Sequence, residues 1–133
     1  MDLTVEDRLA IHELIALHGH LMEDGAFDRL GELVTDDVIY DVTDQGGGEL
    51  DRDGIRAAGL ALGDGNPLGH HVTNVMIVSV VDGVVHVRSK GFGVMSDGTV
   101  GTVGYEDEIV NTDSGWRIAR RKVLSRRRPL HRD

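Results

Sequence analysis

The second half of this chain is dominated by long runs of apolar and β-branched residues, at 70–81, 84–96, 99–110 and 116–124. An Asp-Gly pair follows each of the first two runs, and Asp-Gly is a strong short-range signal for a hairpin turn. A five-residue turn rich in polar residues and glycine precedes the fourth run. Strands joined by such short turns pair antiparallel, so the pattern predicts a meander of four long strands.

The first half of the chain has helical periodicity. Thr4 stands at the N-cap position of a first helix, with Asp7 at the third helical position, and apolar residues at helical spacing continue to about Glu23. The elements expected next are a helix at 27–34, a break at 35–37, a strand at 38–42, a flexible loop at 45–49, and a third helix from Asp51 or Asp53 to about Leu62.

Helices followed by a meander predict an α+β fold. We expect a strongly curved antiparallel sheet that wraps around three N-terminal helices and encloses a pocket. Glycines within the strands allow the sheet to bend in this way, at Gly91, Gly93, Gly101 and Gly104. With 133 residues, the chain is expected to form one domain over 1–125, followed by a basic tail at 126–133.

Charge and composition argue against several classes of function. The formal net charge is −9, and eight of the 14 basic residues fall after residue 116, so the body of the chain is strongly acidic. An acidic body argues against nucleic-acid binding, and the basic tail is expected to be solvated or folded against it. No run reaches the roughly 18 apolar residues of a membrane helix and no signal-peptide pattern is seen, so a cytoplasmic location is expected. Without cysteines, and with histidines that lack metal-ligand spacing, neither thiolate chemistry nor a metal site is expected.

The strand that opens the meander begins with polar residues and continues with apolar ones. Period-two alternation predicts that one face carries His70, Val72, Asn74, Met76 and Val78. This pattern is typical of polar groups at the mouth of an apolar cavity.

The outer face of the sheet is also expected to be partly apolar. The residues assigned to it are Val75, Ile77 and Val81, with Val85 and Val87 of the next strand. An apolar sheet face with no helix to cover it predicts a homodimer formed sheet to sheet.

Five stretches, in order along the chain, resemble a known family: 21–30 (LMEDGAFDRL), 33–38 (LVTDDV), 70–74 (HHVTN), 104–107 (GYED) and 115–121 (GWRIARR). Over nearly its whole length the chain resembles the SnoaL-like branch of the nuclear transport factor 2-like superfamily. The resemblance implies a cone-shaped α+β barrel with a deep pocket, and members of the family are often dimeric. Members include polyketide cyclases, scytalone-dehydratase-like lyases, ketosteroid-isomerase-like enzymes, epoxide hydrolases and pocket proteins with no known reaction.

The resemblance implies catalytic roles for Glu23 and His70. They match the acidic residue that ends the first helix and the histidine that begins the long strand in the dehydratase-like branch. A histidine with a pKa near neutrality can remove a proton next to a carbonyl, and a nearby carboxylate can orient it. The residues expected to bind substrate around this pair are His18, Tyr40, Asn74, Tyr105 and Asp107. For His18, a purely structural role in the core is the alternative.

More than one function fits these residues. We expect a cofactor-independent enzyme that transfers protons on a small hydrophobic carbonyl or polyketide-type compound. Met22 and Val42 stand where the dehydratases carry water-activating tyrosines, which leaves enolisation, isomerisation or aldol-type cyclisation open as alternatives to dehydration. A non-catalytic small-molecule-binding or dimerisation module is a second possibility. Epoxide hydrolysis, which needs an Asp-Arg-Asp set, is a third, with Arg88 and Asp107 as candidates.

Overall fold

A computed structural model describes residues 2–125 of the chain. Helix α1 spans Val5–Glu23 and is capped by Thr4. The Thr4 hydroxyl accepts a hydrogen bond from the main-chain N–H of Asp7 at 3.0 Å, and the Asp7 carboxylate accepts one from the main-chain N–H of Thr4 at 2.9 Å. This reciprocal capping box satisfies two amides at the helix start, and it confirms the predicted first helix. The basic tail predicted at 126–133 lies outside the described residues.

The remaining helical elements are short. Helix α2 spans Arg52–Leu62 and begins at Asp51, whose carboxylate accepts a hydrogen bond from the main-chain N–H of Gly54 at 2.7 Å. This confirms the third helix and selects Asp51 as its cap. The second predicted helix is a 3₁₀ helix, and the 3₁₀ elements are Phe27–Glu32, Thr43–Gln45 and Gly63–Gly65. No helix among residues 2–125 is long and apolar enough to cross a membrane.

Six strands form one curved sheet. Their bounds are Val34–Asp41 (β1), Glu49–Leu50 (β2), Gly69–Val81 (β3), Val84–Val94 (β4), Val100–Thr112 (β5) and Gly115–Ser125 (β6). Strands β3 to β6 pair antiparallel in chain order, which confirms the meander, while β1 pairs parallel with β6 and antiparallel with β2. Helix α1 packs on β3 and β6, and α2 packs on β1, so the predicted α+β fold with a curved sheet around N-terminal helices is confirmed.

The hydrophobic core lies between α1 and the inner face of the sheet. We call one half of it the packed end, and it consists of Ile11, Ile15, Val85, Val87, Ile109 and Ile118, none more than 1 % exposed. Burying a large aliphatic side chain contributes about 1.5–3 kcal/mol to stability. The packed end is therefore a main source of the stability of the fold.

Strand β3 contains a bulge that reverses which residues face inward. Its register against β4 shifts between Thr73 and Met76, where Asn74 has a φ of 54°, and shifts again between Ile77 and Ser79. A bulge adds one residue to the strand, so the alternation of faces is inverted beyond it. Val72 before the bulge and Val75 and Ile77 after it all pack against the core. The predicted common face is therefore wrong beyond Val72, because the exposed residues there are Asn74, Met76 and Val78.

The outer face of the sheet also differs from the expectation. Val85 and Val87 are 0 % and 1 % exposed, and Val75 and Ile77 pack against the core, so the assignment of these four residues to the outer face is wrong, whereas Val81 is exposed. Met76 and Val78 are exposed on that face, and Met76 pairs in register with Arg88, which is also exposed. The predicted homodimer through the outer face stays a prediction.

Strand β1 begins earlier than the sequence pattern indicated. Residues 35–37, expected to break the chain, lie inside it, and the register against β6 shifts between Val34 and Ile39. At this irregularity the side chains of Asp36 and Asp37 are exposed, which is how a strand accommodates two adjacent carboxylates. The end of the predicted loop at 45–49 pairs with β1 as part of β2.

Candidate functional site

Four ring side chains from four elements meet at the other end of the inner sheet face. His18 lies on α1, Tyr40 on β1, His70 on β3 and Tyr105 on β5, and we call this cluster the polar end. The centroid of the His18 ring lies 6.5 Å from that of Tyr40, 6.0 Å from that of His70 and 6.2 Å from that of Tyr105. The structure therefore brings together four of the residues selected from the sequence, with His18 at the centre.

Two cavities open beside the polar end. The helix lobe has a volume of about 480 Å³ and lies between α2 and the sheet. The hairpin lobe has a volume of about 540 Å³ and lies beside the β4–β5 hairpin. The wall residues common to both lobes are His18, Gln45, Pro67, His70, Val103 and Tyr105. Both volumes fall in the range of about 300–1,000 Å³ that is usual for small-molecule sites.

Glu23 and His70, 47 residues apart in sequence, are neighbours in the structure. The Glu23 carboxylate accepts a hydrogen bond from the main-chain N–H of His70, and its Oε1 lies 3.8 Å from Nδ1 of the His70 ring. Gly19 allows this close approach, because a Cβ at that position would lie 2.5 Å from the carbonyl oxygen of His70. The last turn of α1 can therefore bring Glu23 to the start of β3.

The His70 imidazole is mostly buried, with 16 % of its side chain exposed. Its Nδ1 is buried beside Glu23 and has no hydrogen-bond partner among the described residues. Burial lowers the pKa of His70 below its ordinary value of 6.5, and the Glu23 carboxylate opposes that shift. The ring is therefore neutral at pH 7, and Nε2 is the nitrogen left to meet a ligand.

His18 is buried, and its Nδ1 also lacks a hydrogen-bond partner among residues 2–125. Burial, together with the charges of Arg121 and His70, holds the pKa of His18 well below its ordinary value. A buried polar atom without a partner costs free energy, and such atoms are uncommon in folded proteins. An unpartnered imidazole in the wall of a cavity is typical of a ligand site.

A buried ion pair lies behind the tyrosines of the polar end. Nε and Nη2 of Arg121 donate hydrogen bonds to Oδ1 and Oδ2 of Asp107 at 2.7 and 2.8 Å, and both side chains are 0 % exposed. The guanidinium carbon lies 4.2 Å from the centre of the Tyr105 ring, a cation–π contact. Both Asp107 oxygens are engaged by Arg121, and Asp107 lines neither lobe, so in this structure it holds Arg121 in place. Its predicted role in substrate binding stays a prediction.

The ionisation states of this group follow from burial and from Arg121. Burial raises the pKa of Tyr40 to about 12 and also raises the pKa of Tyr105, while the charge of Arg121 opposes both shifts. Burial would lower the pKa of Arg121, but Asp107, Tyr40 and Tyr105 together outweigh burial and keep that pKa above its ordinary value. Both tyrosine hydroxyls thus stay protonated at pH 7, next to a fixed positive charge.

Sequence reasoning missed Arg121, which was counted with the basic residues at the end of the chain. Strand alternation could have found it, because Val123 is buried and Arg121 lies two residues earlier on the same face. Fully buried arginines are rare unless they are paired. The pairing with Asp107 across β5 and β6 explains this one.

Two further candidates lie away from the polar end. Asn74 is exposed at the β3 bulge and lines neither lobe, so the structure does not bring it to the polar end, and its role in substrate binding stays a prediction. Arg88 is exposed, whereas Asp107 is buried on the inner face, so these two cannot share an Asp-Arg-Asp set. Within residues 2–125, no second carboxylate contacts Arg121, and no group of three or more His, Asp or Glu side chains is arranged to hold a metal ion.

Comparison with known families identifies the fold. Residues 3–122 match the SnoaL-like domain. This chain belongs to the SnoaL-like family. The match extends from the cap of α1 into the last strand, so it includes every element that contributes to the polar end. No curated protein matches the chain.

The solved structures that share this SnoaL-like fold include the following three from Novosphingobium aromaticivorans. A candidate aromatic ring hydroxylase is 25 % identical with a TM-score of 0.78, covering 98 % of this chain and 95 % of its own. A nuclear transport factor 2-like protein with a cystatin-like fold is 28 % identical with a TM-score of 0.73, covering 91 % and 82 %. A candidate scytalone dehydratase is 19 % identical with a TM-score of 0.76, covering 92 % and 85 %. These relatives share the architecture, and the chemistry has to be argued from the site.

Proposed function

We propose that this chain is a cofactor-independent enzyme that transfers a proton on a small hydrophobic carbonyl or polyketide-type compound. His70 is the general base, Glu23 supports its charged form, and Tyr40 and Tyr105 hold the carbonyl oxygen. One observation carries the proposal: the His70 imidazole, whose Nδ1 lies 3.8 Å from Oε1 of Glu23, lines the same cavity as Tyr40 and Tyr105.

The proposed step begins at Nε2 of His70. This nitrogen takes a proton from the carbon next to the carbonyl, the C–H electron pair forms a carbon–carbon double bond, and the carbonyl oxygen becomes an enolate oxygen. The imidazolium that results has Nδ1 3.8 Å from Oε1 of Glu23, which favours its positive charge. Return of the proton to another carbon gives isomerisation. In aldol-type cyclisation the enolate carbon instead attacks a second carbonyl carbon, whose π electrons move to its oxygen, and the resulting alkoxide takes the proton from Nε2 of His70.

The tyrosines are suited to stabilise the enolate. Their raised pKa values keep the hydroxyl protons on Tyr40 and Tyr105, so both can donate hydrogen bonds to a developing negative charge. Arg121, 4.2 Å behind the Tyr105 ring, adds a fixed positive charge on the same side. A single preorganised donor of this kind typically contributes about 10²–10³-fold in rate.

A non-catalytic binding module is the second candidate, and one contact favours it. The Glu23 carboxylate bonds to the main-chain N–H of His70, an interaction that fixes the start of β3 whether or not His70 does chemistry. In that case the two lobes hold a small hydrophobic molecule without converting it.

The test follows exchange of α-protons for deuterium in a small ketone dissolved in D₂O, observed by proton NMR. We expect His70→Gln to slow enzyme-dependent exchange by at least about 10²-fold, because it removes the base. The matched control is His86→Gln, a histidine on the outer face paired in register with Glu108, and it should exchange at the wild-type rate. If His70→Gln binds the ketone and exchanges it as fast as wild type, His70 is not the base. If wild type binds the ketone without exchange, the binding module is the better account.

A further inference from the structure

The polar groups of the site stand between two apolar spaces rather than at the bottom of one. His18, His70 and Tyr105 border both the helix lobe and the hairpin lobe. A ligand whose oxygen lies against these three side chains therefore has apolar wall on either side of that oxygen.

The helix lobe is apolar on the side away from the polar end. Its walls there include Leu50, Ile55, Ala58 and Leu62. Leu62 is 58 % exposed, so a large apolar surface in this lobe lacks a protein partner. Covering such a surface is favourable, which suits the lobe to a hydrophobic part of a ligand.

The hairpin lobe has its own apolar wall. Val72, Met95 and Val100 line it, and Val100 is 62 % exposed. Gly101 also lines this lobe, and a Cβ placed on it would meet no heavy atom within 4 Å. This lobe therefore contains open space beside a second uncovered apolar side chain.

We infer that the substrate is an elongated molecule with its reactive carbonyl near the middle and an apolar arm on each side, one arm in each lobe. The inference rests on the proposed function for the identity of the central group. It goes further by stating the shape of the substrate: a compound with a single apolar arm fills only half of the site.

Substitutions that fill one lobe at a time test separately whether each lobe binds one arm of the ligand. Ala58→Leu adds carbon to the helix lobe, and Gly101→Leu adds carbon to the hairpin lobe, where the space is open. Gly104→Leu is the matched control on the same strand, since Gly104 lines neither lobe and its added Cβ meets only Leu124, at 3.9 Å. All three variants are first checked for wild-type thermal unfolding.

The probes are two ketones that share one benzyl arm. One is 1,3-diphenylpropan-2-one, with a phenyl ring on each side of the carbonyl, and the other is 1-phenylbutan-2-one, with one ring. Because burying an aromatic ring is strongly favourable, we expect wild type to bind the two-ring ketone at least about tenfold tighter by titration calorimetry. We expect Ala58→Leu and Gly101→Leu each to weaken it by at least about tenfold, with Gly104→Leu unchanged.

If the inference is right, the affinity for the one-ring ketone should be insensitive to either single variant. Its ring can enter whichever lobe is free, so each single variant should change its affinity by less than about threefold, and Ala58→Leu/Gly101→Leu together should abolish its binding. Equal wild-type affinity for the two ketones, or a two-ring affinity that only one of the two lobes affects, would overturn the two-armed substrate.

Deuterium exchange in the same samples separates this inference from the proposed function. If the two-ring ketone binds with the expected dependence on both lobes but its α-protons do not exchange, the two-armed ligand is retained and the proposed proton transfer is contradicted. If the α-protons of both ketones exchange equally fast and neither lobe variant changes the rate, the proposed proton transfer is retained and the two-armed substrate is contradicted.

Discussion

Helix α1 crosses both ends of the inner sheet face, and the residues that it presents differ between them. At the packed end it contributes Ile11 and Ile15, each 0 % exposed. Further along the same stripe it carries His18 and Met22, which line the helix lobe. The helix does not turn or break between the two ends, so the difference is one of side-chain chemistry alone.

The inner faces of three strands also change from aliphatic to polar residues between the packed end and the polar end. Their inner-facing residues pass from aliphatic to polar in three cases: Val87 to Ser89 in β4, Ile109 to Asp107 in β5, and Ile118 to Arg121 in β6. The packed end therefore consists of groups whose burial is favourable. The polar end consists of groups whose burial is costly unless they are paired.

Burial of aliphatic side chains at the packed end stabilises the fold and offsets the cost of burying polar groups at the polar end. Unpartnered nitrogens on His18 and His70 are unfavourable in an unliganded fold, and a buried ion pair such as Arg121–Asp107 contributes little net stability. A fold keeps such features where the rest of the core is strong enough to hold them.

The largest expected effect comes from breaking the ion pair of the polar end. Asp107→Asn leaves the Arg121 charge buried without its carboxylate, and we expect the free energy of unfolding to fall by about 3–5 kcal/mol in urea denaturation. Asp113→Asn, in the exposed β5–β6 turn, is the control and should change it by less than about 0.5 kcal/mol. Equal losses in the two variants would mean that Arg121 is solvated and the polar end is not a low-dielectric site.

Two truncations on the same stripe of α1 sharpen the contrast. Ile15→Ala at the packed end should lower the free energy of unfolding by about 2–5 kcal/mol, because it opens a hole in close-packed surroundings. Met22→Ala should lower it by only about 1 kcal/mol, because the Met22 side chain already faces an open cavity. Urea denaturation of both variants measures the difference, and similar losses would contradict the distinction between the ends.

The pH dependence of stability reports on His18. Its pKa lies well below 6.5 in the folded protein and returns to the ordinary value on unfolding, so below pH 6.5 the unfolded chain binds more protons. The free energy of unfolding should therefore fall with decreasing pH, by up to about 1.4 kcal/mol per pH unit, from 6.5 down to the folded pKa. His18→Gln should reduce this slope, and His12→Gln, exposed on the same helix, should not. A slope unchanged by His18→Gln would show that His18 is not buried in the neutral form.

The regular features of the fold could be predicted from local patterns. Capping by Thr4 and Asp51, helical spacing along α1 and the Asp-Gly turns of the meander are all encoded within a few residues. The β3 bulge was not predicted, because Asn74 carries no signal that distinguishes a bulge from a regular strand position. Assigning Val85 and Val87 to the outer face failed because the face of a strand depends on its neighbours, which a single strand pattern does not specify.

The candidate site was predicted in part for a similar reason. His18 was selected from the helical spacing of α1, and Tyr40, His70 and Tyr105 from their strands and from the family resemblance, and the four side chains do meet. The role of Asp107 could not be inferred without Arg121, since a carboxylate on an inner face can bind either a ligand or a cation. Asp107 contacts a cation because β5 pairs with β6, which places it against Arg121, 14 positions later in the chain.

The pKa of the His70 imidazole, measured by NMR titration in wild type and in Glu23→Gln, tests the central claim most directly. Glutamine keeps an oxygen for the main-chain N–H of His70 and removes only the charge. We predict a wild-type pKa below 6.5, because burial outweighs Glu23, and a further decrease in Glu23→Gln, because the carboxylate no longer favours the imidazolium. A wild-type pKa of 6.5 or above, or one unchanged by Glu23→Gln, would contradict a neutral base coupled to Glu23 in this cavity.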